Sequence, residues 1–275
     1  SILLIPCSMN FLAYIQWDVN PDIFTIPFLD HPVRWYGLTW AVGFLMSQYL
    51  MTYVYKKEGR LEKEVDTMTL YTVLGTLIGA RLGHVLFYDL VYYFQHPLAA
   101  FAIWEGGLAS HGGGIGIFLS AYLFTRKTQV SYLWFLDRLV IPAAFMGTLI
   151  RLGNLMNSEM IGTPTDLPWA FVFTAIDEIP RHPAQLYEAL YCLVMFVVAF
   201  VYWRRNVGKV PEGFILGWFL VVLFTLRFLD EFLKVNQVDF EDNMILNMGQ
   251  LLSIPYILMG VVLILRSVKR AKQHI

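Results

Sequence analysis

The chain has 275 residues, 57% of them hydrophobic and 16% aromatic but only 15% charged, proportions that exclude an ordinary soluble domain and indicate a polytopic membrane protein. The net charge of -1 says less than the placement of the Lys and Arg residues does, and no nucleic-acid partner is expected. Cys7 and Cys192 offer neither a disulfide framework nor metal-ligand spacing, so no metal and no cofactor are expected.

The N-terminal SILLIPCSMNFLAYIQ lacks a basic n-region and an unbroken apolar stretch. It reads as part of an amphipathic arm, residues 1–34, and not as a cleaved signal peptide. Apolar runs near the roughly 20 residues that cross a hydrocarbon core then predict seven transmembrane helices. These are Trp35 to Tyr55, Thr67 to about Tyr88, about Leu98 to Phe124, Tyr132 to Ile150, Gln185 to Trp203, Phe214 to Leu233 and Met248 to Leu265. The second carries Arg81 and His84, the third Glu105 and His111. Between spans four and five, residues 154–182 contain PTDLP, a β-favouring AFVFT and a Pro-bounded end. They are expected to form a small extracytoplasmic cap against which the N-terminal arm can pack. With no linker, low-complexity run or internal repeat, residues 1–275 are expected to form a single integral membrane domain of all-α polytopic class.

Basic residues in short loops set the orientation. Lys56, Lys57, Arg60, Lys63, Arg126, Lys127, Arg204, Arg205, Lys209, Arg266, Lys269, Arg270 and Lys272 follow spans one, three, five and seven, whereas Arg34, Arg181 and Lys234 lie on the other side. The N-terminus is therefore expected outside and the C-terminus in the cytoplasm. Arg81, Arg138, Arg151 and Arg227 remain as intramembrane arginines.

The densest polar motif is RLGNLMNSEMIG, Arg151 to Gly162, at the outer end of span four. An arginine at the edge of lipid is costly unless an anion receives it, which makes it a site candidate. The alternative is that Arg151 snorkels to the interface while Asn154 and Asn157 cap the helix. Arg81 and Arg227 are expected in the outer half of the bilayer with Arg151, and guanidinium groups gathered in a low dielectric suit a phosphate. Glu231, four residues after Arg227, is the nearest counter-ion; a purely structural set of Arg–carboxylate pairs is the competing reading. His111 lies in WEGGLASHGGGIGIF, whose glycines deny a regular helix and permit close approach of backbone or ligand. It is read either as a proton acceptor working near neutral pH or as a helix–helix hydrogen-bonding residue. The Gly112 to Gly116 spacing also suits tight helix packing. RHPAQLYEAL opens span five with Pro183 where a missing N–H costs least and sets Gln185, Tyr187 and Glu188 at the level of Arg151. Tyr36, in RWYGLTW, falls at that level too, where interface anchoring is the alternative.

Taken together, RWYGL, GARLGHVLFY, the HGG of SHGGGIG, RLGNLMNSEMIG, HPAQLYE and LRFLDEF, in that order, resemble the bacterial prolipoprotein diacylglyceryl transferase family. The resemblance runs from about Arg34 to Glu231, and its most specific part is RxGNxxNxExxG at Arg151, Gly153, Asn154, Asn157, Glu159 and Gly162. Departures are Ile150 and Ser158, where the family tends towards glycine, and His84, where tyrosine is common.

The resemblance implies an enzyme of the bacterial cytoplasmic (inner) membrane whose partners are a membrane lipid, phosphatidylglycerol, and lipobox-containing lipoprotein precursors. The diacylglyceryl group would pass to the lipobox cysteine thiol, forming a thioether and releasing glycerol phosphate, with no metal required. It implies catalytic roles for His111 in proton transfer and for Arg151 and Arg227 at the phosphate. Substrate-binding roles are implied for Tyr36, Arg81, Asn154, Asn157, Glu159, Gly162, Gln185, Tyr187 and Glu231, the last orienting Arg227. A transporter or lipid-binding protein that holds an anionic headgroup without chemistry is the rival, against which the missing internal repeat counts. A membrane transferase or hydrolase with another nucleophile is the third reading.

Overall fold

The computed structural model describes residues 14–26, 31–88, 90–102, 107, 109–235 and 246–273, with backbone alone at Ile26, His31, Ser110 and His111. It is mostly helical. Two short strands, β1 (Ile15–Trp17) and β2 (Asp22–Ile26), precede β3 (His31–Arg34), which runs straight into α1 (Trp35–Lys57). Then come α2 (Lys63–Phe87), α3 (Leu90–Gln95), a 3-10 turn at Pro97–Phe101, α4 (Ser110–Thr128) and α5 (Tyr132–Met156). After β4 (Phe171–Phe173) and β5 (Pro180–Arg181) the chain forms α6 (Ala184–Arg205), α7 (Phe214–Asp230) with a 3-10 turn at Glu231–Leu233, and α8 (Met248–Gln273).

Among the described residues four helices, α2, α5, α6 and α8, are long and apolar enough to cross a membrane. Large apolar side chains such as Leu45, Ile78, Leu119, Leu190, Val194 and Val262 lie exposed along the helices, as a lipid-facing surface requires. The helix ends follow local chemistry. Lys56 and Lys57 close α1 and Arg204 and Arg205 close α6, placing cations at the negative ends of the helix dipoles. After each of these two helices the chain turns at a glycine in the left-handed region, Gly59 and Gly208.

Two expectations are corrected. The helix expected from about Leu98 begins at Ser110, because the apolar run after Pro97 takes a 3-10 turn. The glycines around His111 do not prevent a helix either, since Gly112, Gly113, Gly114 and Gly116 lie inside α4. What offsets their low helix propensity is packing. A Cβ on Gly83 would stand 2.9 Å from the Gly112 Cα, and one on Gly116 would meet the Gly75 carbonyl, so only glycine lets α2 and α4 touch backbone to backbone. The Ala109 amide also donates to the Ala80 carbonyl at 2.9 Å.

The chain divides into two compact units, one of residues 44–145, 195–222 and 257–275, the other of residues 1–43, 146–194 and 223–256. The first holds the α2–α4 seam and two buried polar devices. Arg138, Glu58 and Trp203 form one. In the other, Asp137 accepts the amides of Gly213 at 2.6 Å and Leu216 at 2.8 Å, so a carboxylate from α5 caps the N-terminus of α7.

The second unit carries the small sheets. β1 pairs parallel with β4, which pairs antiparallel with β5, and β2 and β3 form a hairpin. The middle of AFVFT, Phe171–Phe173, is therefore a strand, and the N-terminal arm does pack with residues 154–182. Phe171, Phe173 and Leu155 form the core there with Trp17 and Ile161, and the Trp17 indole donates to the Leu155 carbonyl at 2.9 Å.

Candidate active site

α5 continues past Ile150 to Met156, so Arg151 and Asn154 are helical and share a face three residues apart. Arg151 Nη1 donates to Asn154 Oδ1 at 3.3 Å, Asn154 Nδ2 donates to Glu159 Oε2 at 3.1 Å, and Asn157 Nδ2 to Glu159 Oε1 at 3.1 Å. The chain bends back to make these contacts through Ser158 at φ 53° and Met160 at φ 59°. This is the left-handed region in which helices end most cheaply on glycine, and Ser158 is a position where the family resemblance expects glycine. On the other side of the helix a Cβ on Gly153 would lie 2.6 Å from Thr39 Oγ1 and 2.8 Å from Tyr36 Cδ2. The glycine thus admits the start of α1 and brings half-buried Tyr36 beside the motif.

Behind Arg151 lies a chain of alternating charge. Arg151 Nε pairs with Glu188, and Glu188 also pairs with Lys234. Lys234 Nζ lies 3.1 Å from Asp230 and 3.5 Å from Glu231, and Glu231 pairs with Arg227 at 3.3 Å. Asn247 Nδ2 donates to Glu231 at 3.1 Å. Asn247 and Gln250 meanwhile exchange side-chain and backbone hydrogen bonds at 2.9 and 3.1 Å, a capping box that starts α8. Glu188, Lys234 and Asp230 are buried, while the Arg151 and Arg227 side chains keep 18% and 34% exposure. Each of the two guanidinium groups is thus paired with a carboxylate and still partly exposed, and a guanidinium so placed has forked donors of the kind that can receive an anion.

Tyr36, Gly37, Asn157 and Glu159 also line an open groove of roughly 740 Å³ with Pro32, Val33, Arg34 and Leu38. Gln185, fully buried, donates to the Glu159 carbonyl and fixes the bend. Tyr187 accepts a hydrogen bond from Trp169 Nε1 at 2.8 Å and lies 3.3 Å from His182 Nδ1. Burial lowers the His182 pKa, which fits a neutral ring accepting the Tyr187 hydroxyl. Gly162 is packed against backbone, and a Cβ there would stand 2.5 Å from the His182 carbonyl and 2.8 Å from that of Leu233.

Arg81 belongs to the first unit, where it donates to the carbonyls of Ala99 at 2.6 Å, Ala100 at 2.8 Å and Gly107 at 3.1 Å and stacks over Tyr93. These contacts tie α2 to the 3-10 turn at Pro97–Phe101 and to Gly107. The His111 backbone is in the first turn of α4; its side chain lies outside the described residues, as does Glu105. Cys192 is buried in α6 against Gly147.

The sequence reading found the Arg227–Glu231 pair but missed three members of the network. Lys234 was counted as a loop cation, although it stands four residues after Asp230 and three after Glu231, the helical spacing of an ion pair. Asp230 carries the same signal. Glu188 was placed at the level of Arg151 without being recognised as its partner.

Comparison with known sequences identifies the family. The profile of the family described as prolipoprotein diacylglyceryl transferase matches residues 21–266. The chain is 45% identical over 266 residues to the phosphatidylglycerol–prolipoprotein diacylglyceryl transferase of Chloroherpeton thalassium, covering 96% of this chain and 98% of that one. It is 44% identical to the enzymes of the same name from Tolumonas auensis, over 92% of this chain and 97% of that one, and Porphyromonas gingivalis, over 95% and 97%. The chain belongs to the prolipoprotein diacylglyceryl transferase family.

Proposed function

We propose that this chain transfers the diacylglyceryl group of phosphatidylglycerol to the lipobox cysteine of lipoprotein precursors. It does so as a seven-span protein of the bacterial inner membrane with residues 154–182 outside and the C-terminus in the cytoplasm. The cysteine sulfur attacks the glycerol carbon that bears the phosphate ester, a C–S bond forms, and the C–O bond breaks with its electron pair leaving on glycerol phosphate. The thiol proton passes to His111, the base assigned from sequence. Arg151 and Arg227 receive the charge that grows on the leaving phosphate, while Tyr36, Asn154, Asn157 and Glu159 line the headgroup side.

The observation that carries this reading is Arg151, fixed by Glu188 through Nε and by Asn154 through Nη1 within the RxGNxxNxExxG motif. Purified protein incubated with phosphatidylglycerol vesicles and a lipobox peptide tests it. A peptide thioether together with free glycerol phosphate is expected. Lipid binding without product, or lipid hydrolysis that ignores the peptide, would overturn it.

A further inference from the structure

The link between the two arginines runs through one side chain. Lys234 Nζ contacts Glu188, the partner of Arg151, and lies 3.5 Å from Glu231, the partner of Arg227. Three carboxylates surround this ammonium as ion-pair partners, Asp230 at 3.1 Å being the third. The lysine side chain is 4% exposed. Its backbone is clamped as well: Lys234 bridges Gly162, and the Thr163 amide donates to Leu233 at 2.8 Å.

We infer that Lys234 is a positioning residue that sets Arg151 through Glu188 and Arg227 through Glu231, and so fixes both phosphate-directed guanidinium groups relative to one another. The inference rests on the functional reading above. Neutralising Asp230 would need only the i,i+4 contact; the two further contacts go to the carboxylates that hold the arginines. A carboxylate shared between lysine and arginine also draws less on the guanidinium, leaving more of its field for the phosphate. Without the lysine, Glu188 and Glu231 each turn wholly to their arginine and pull it back from the lipid.

Steady-state transfer to a lipobox peptide from phosphatidylglycerol vesicles is the test, with thermal melting of each variant in detergent as the check on folding. Lys234→Met is expected to lower kcat about 10²-fold, the usual cost of misplacing a reacting group by an ångström, while KM for the lipid moves far less. Lys234→Arg, which keeps the charge and can bridge two carboxylates, should recover most of that loss. Lys234→Met combined with Asp230→Asn should stay depressed, because the surplus acid is gone but the bridge is still missing. Wild-type turnover in Lys234→Met, or recovery in the double variant, would overturn the inference and leave Lys234 as a counter-ion of Asp230. If Lys234→Met does not fold, Lys234→Gln takes its place under the same criterion. A wild type that forms no thioether fails the functional reading itself, whereas an active wild type matched by Lys234→Met fails only the positioning role.

Discussion

The Arg138 guanidinium grips the Glu58 carboxylate with two donors, Nη2 at 2.8 Å and Nε at 3.2 Å, and the two side chains are only 1% and 5% exposed. The Trp203 indole donates to the same carboxylate oxygen at 2.8 Å, and Arg138 lies 4.6 Å above the Trp134 ring. Removing one partner of a buried pair leaves an uncompensated charge. Glu58→Gln should therefore destabilise by about 3–5 kcal/mol, while Glu58→Leu with Arg138→Met should cost much less than the two single losses together. Denaturation of wild type, Glu58→Gln, Glu58→Leu, Arg138→Met and the double variant in one detergent measures this; additive losses would contradict it.

The glycine seam gives a paired comparison on a single helix. Gly116→Val puts a side chain against the Gly75 backbone, whereas a Cβ on Gly114 meets nothing within 4 Å. Gly116→Val should cost about 1–3 kcal/mol or more by forcing α2 from α4. Gly114→Ala should gain up to about 1 kcal/mol from helix propensity alone. Equal melting temperatures for the two variants would refute the seam.

Arg151 uses Nε and Nη1 towards different partners, a division that a single ammonium cannot reproduce. Arg151→Lys keeps the charge but loses the fork, so turnover should fall severely with the protein still folded. A lysine variant within a fewfold of wild type in kcat/KM would show that charge alone suffices.

For His111 the measurement is a pH profile. If the imidazole takes the thiol proton, His111→Gln should slow transfer by about 10²- to 10⁴-fold while lipid binding holds. A free thiol ionises unaided near pH 8.5, so the deficit should narrow between about pH 7 and pH 9. A constant deficit, or lost lipid binding, would make His111 a packing or headgroup residue.

Orientation is checked by tags. Lys127 and Lys209 should be labelled only from the cytoplasm and Thr165 from outside. Labelling of Thr165 only after the membrane is permeabilised would reverse the topology.

What could be read from the sequence is bounded by the reach of its rules. Arg227 and Glu231 were paired from helical spacing and stand 3.3 Å apart; Gly112 and Gly116 were matched to tight packing and form the seam. Asp137 caps α7 from 76 residues away and Arg138 meets Glu58 across 80, and no periodicity encodes such partners. The start of α4 was missed for another reason. The run after Pro97 is as apolar as a helix, but hydropathy does not distinguish a 3-10 turn from an α-helix, so the boundary fell a dozen residues early. Ser158 is a middle case, because a family preference for glycine marked the position and the positive φ supplies the cause.

The pairing of β1 with β4 has a consequence for biosynthesis. Ile15 aligns with Phe171, so at about 5–20 residues per second the ribosome finishes the first strand roughly 8 to 30 s before its partner exists. Throughout that interval the β1 edge is an open template for wrong pairing, a hazard that grows with strand length. At three residues, β1 offers too few ladder bonds to hold a stray partner, yet enough to add to a sheet that β4 and β5 have already formed.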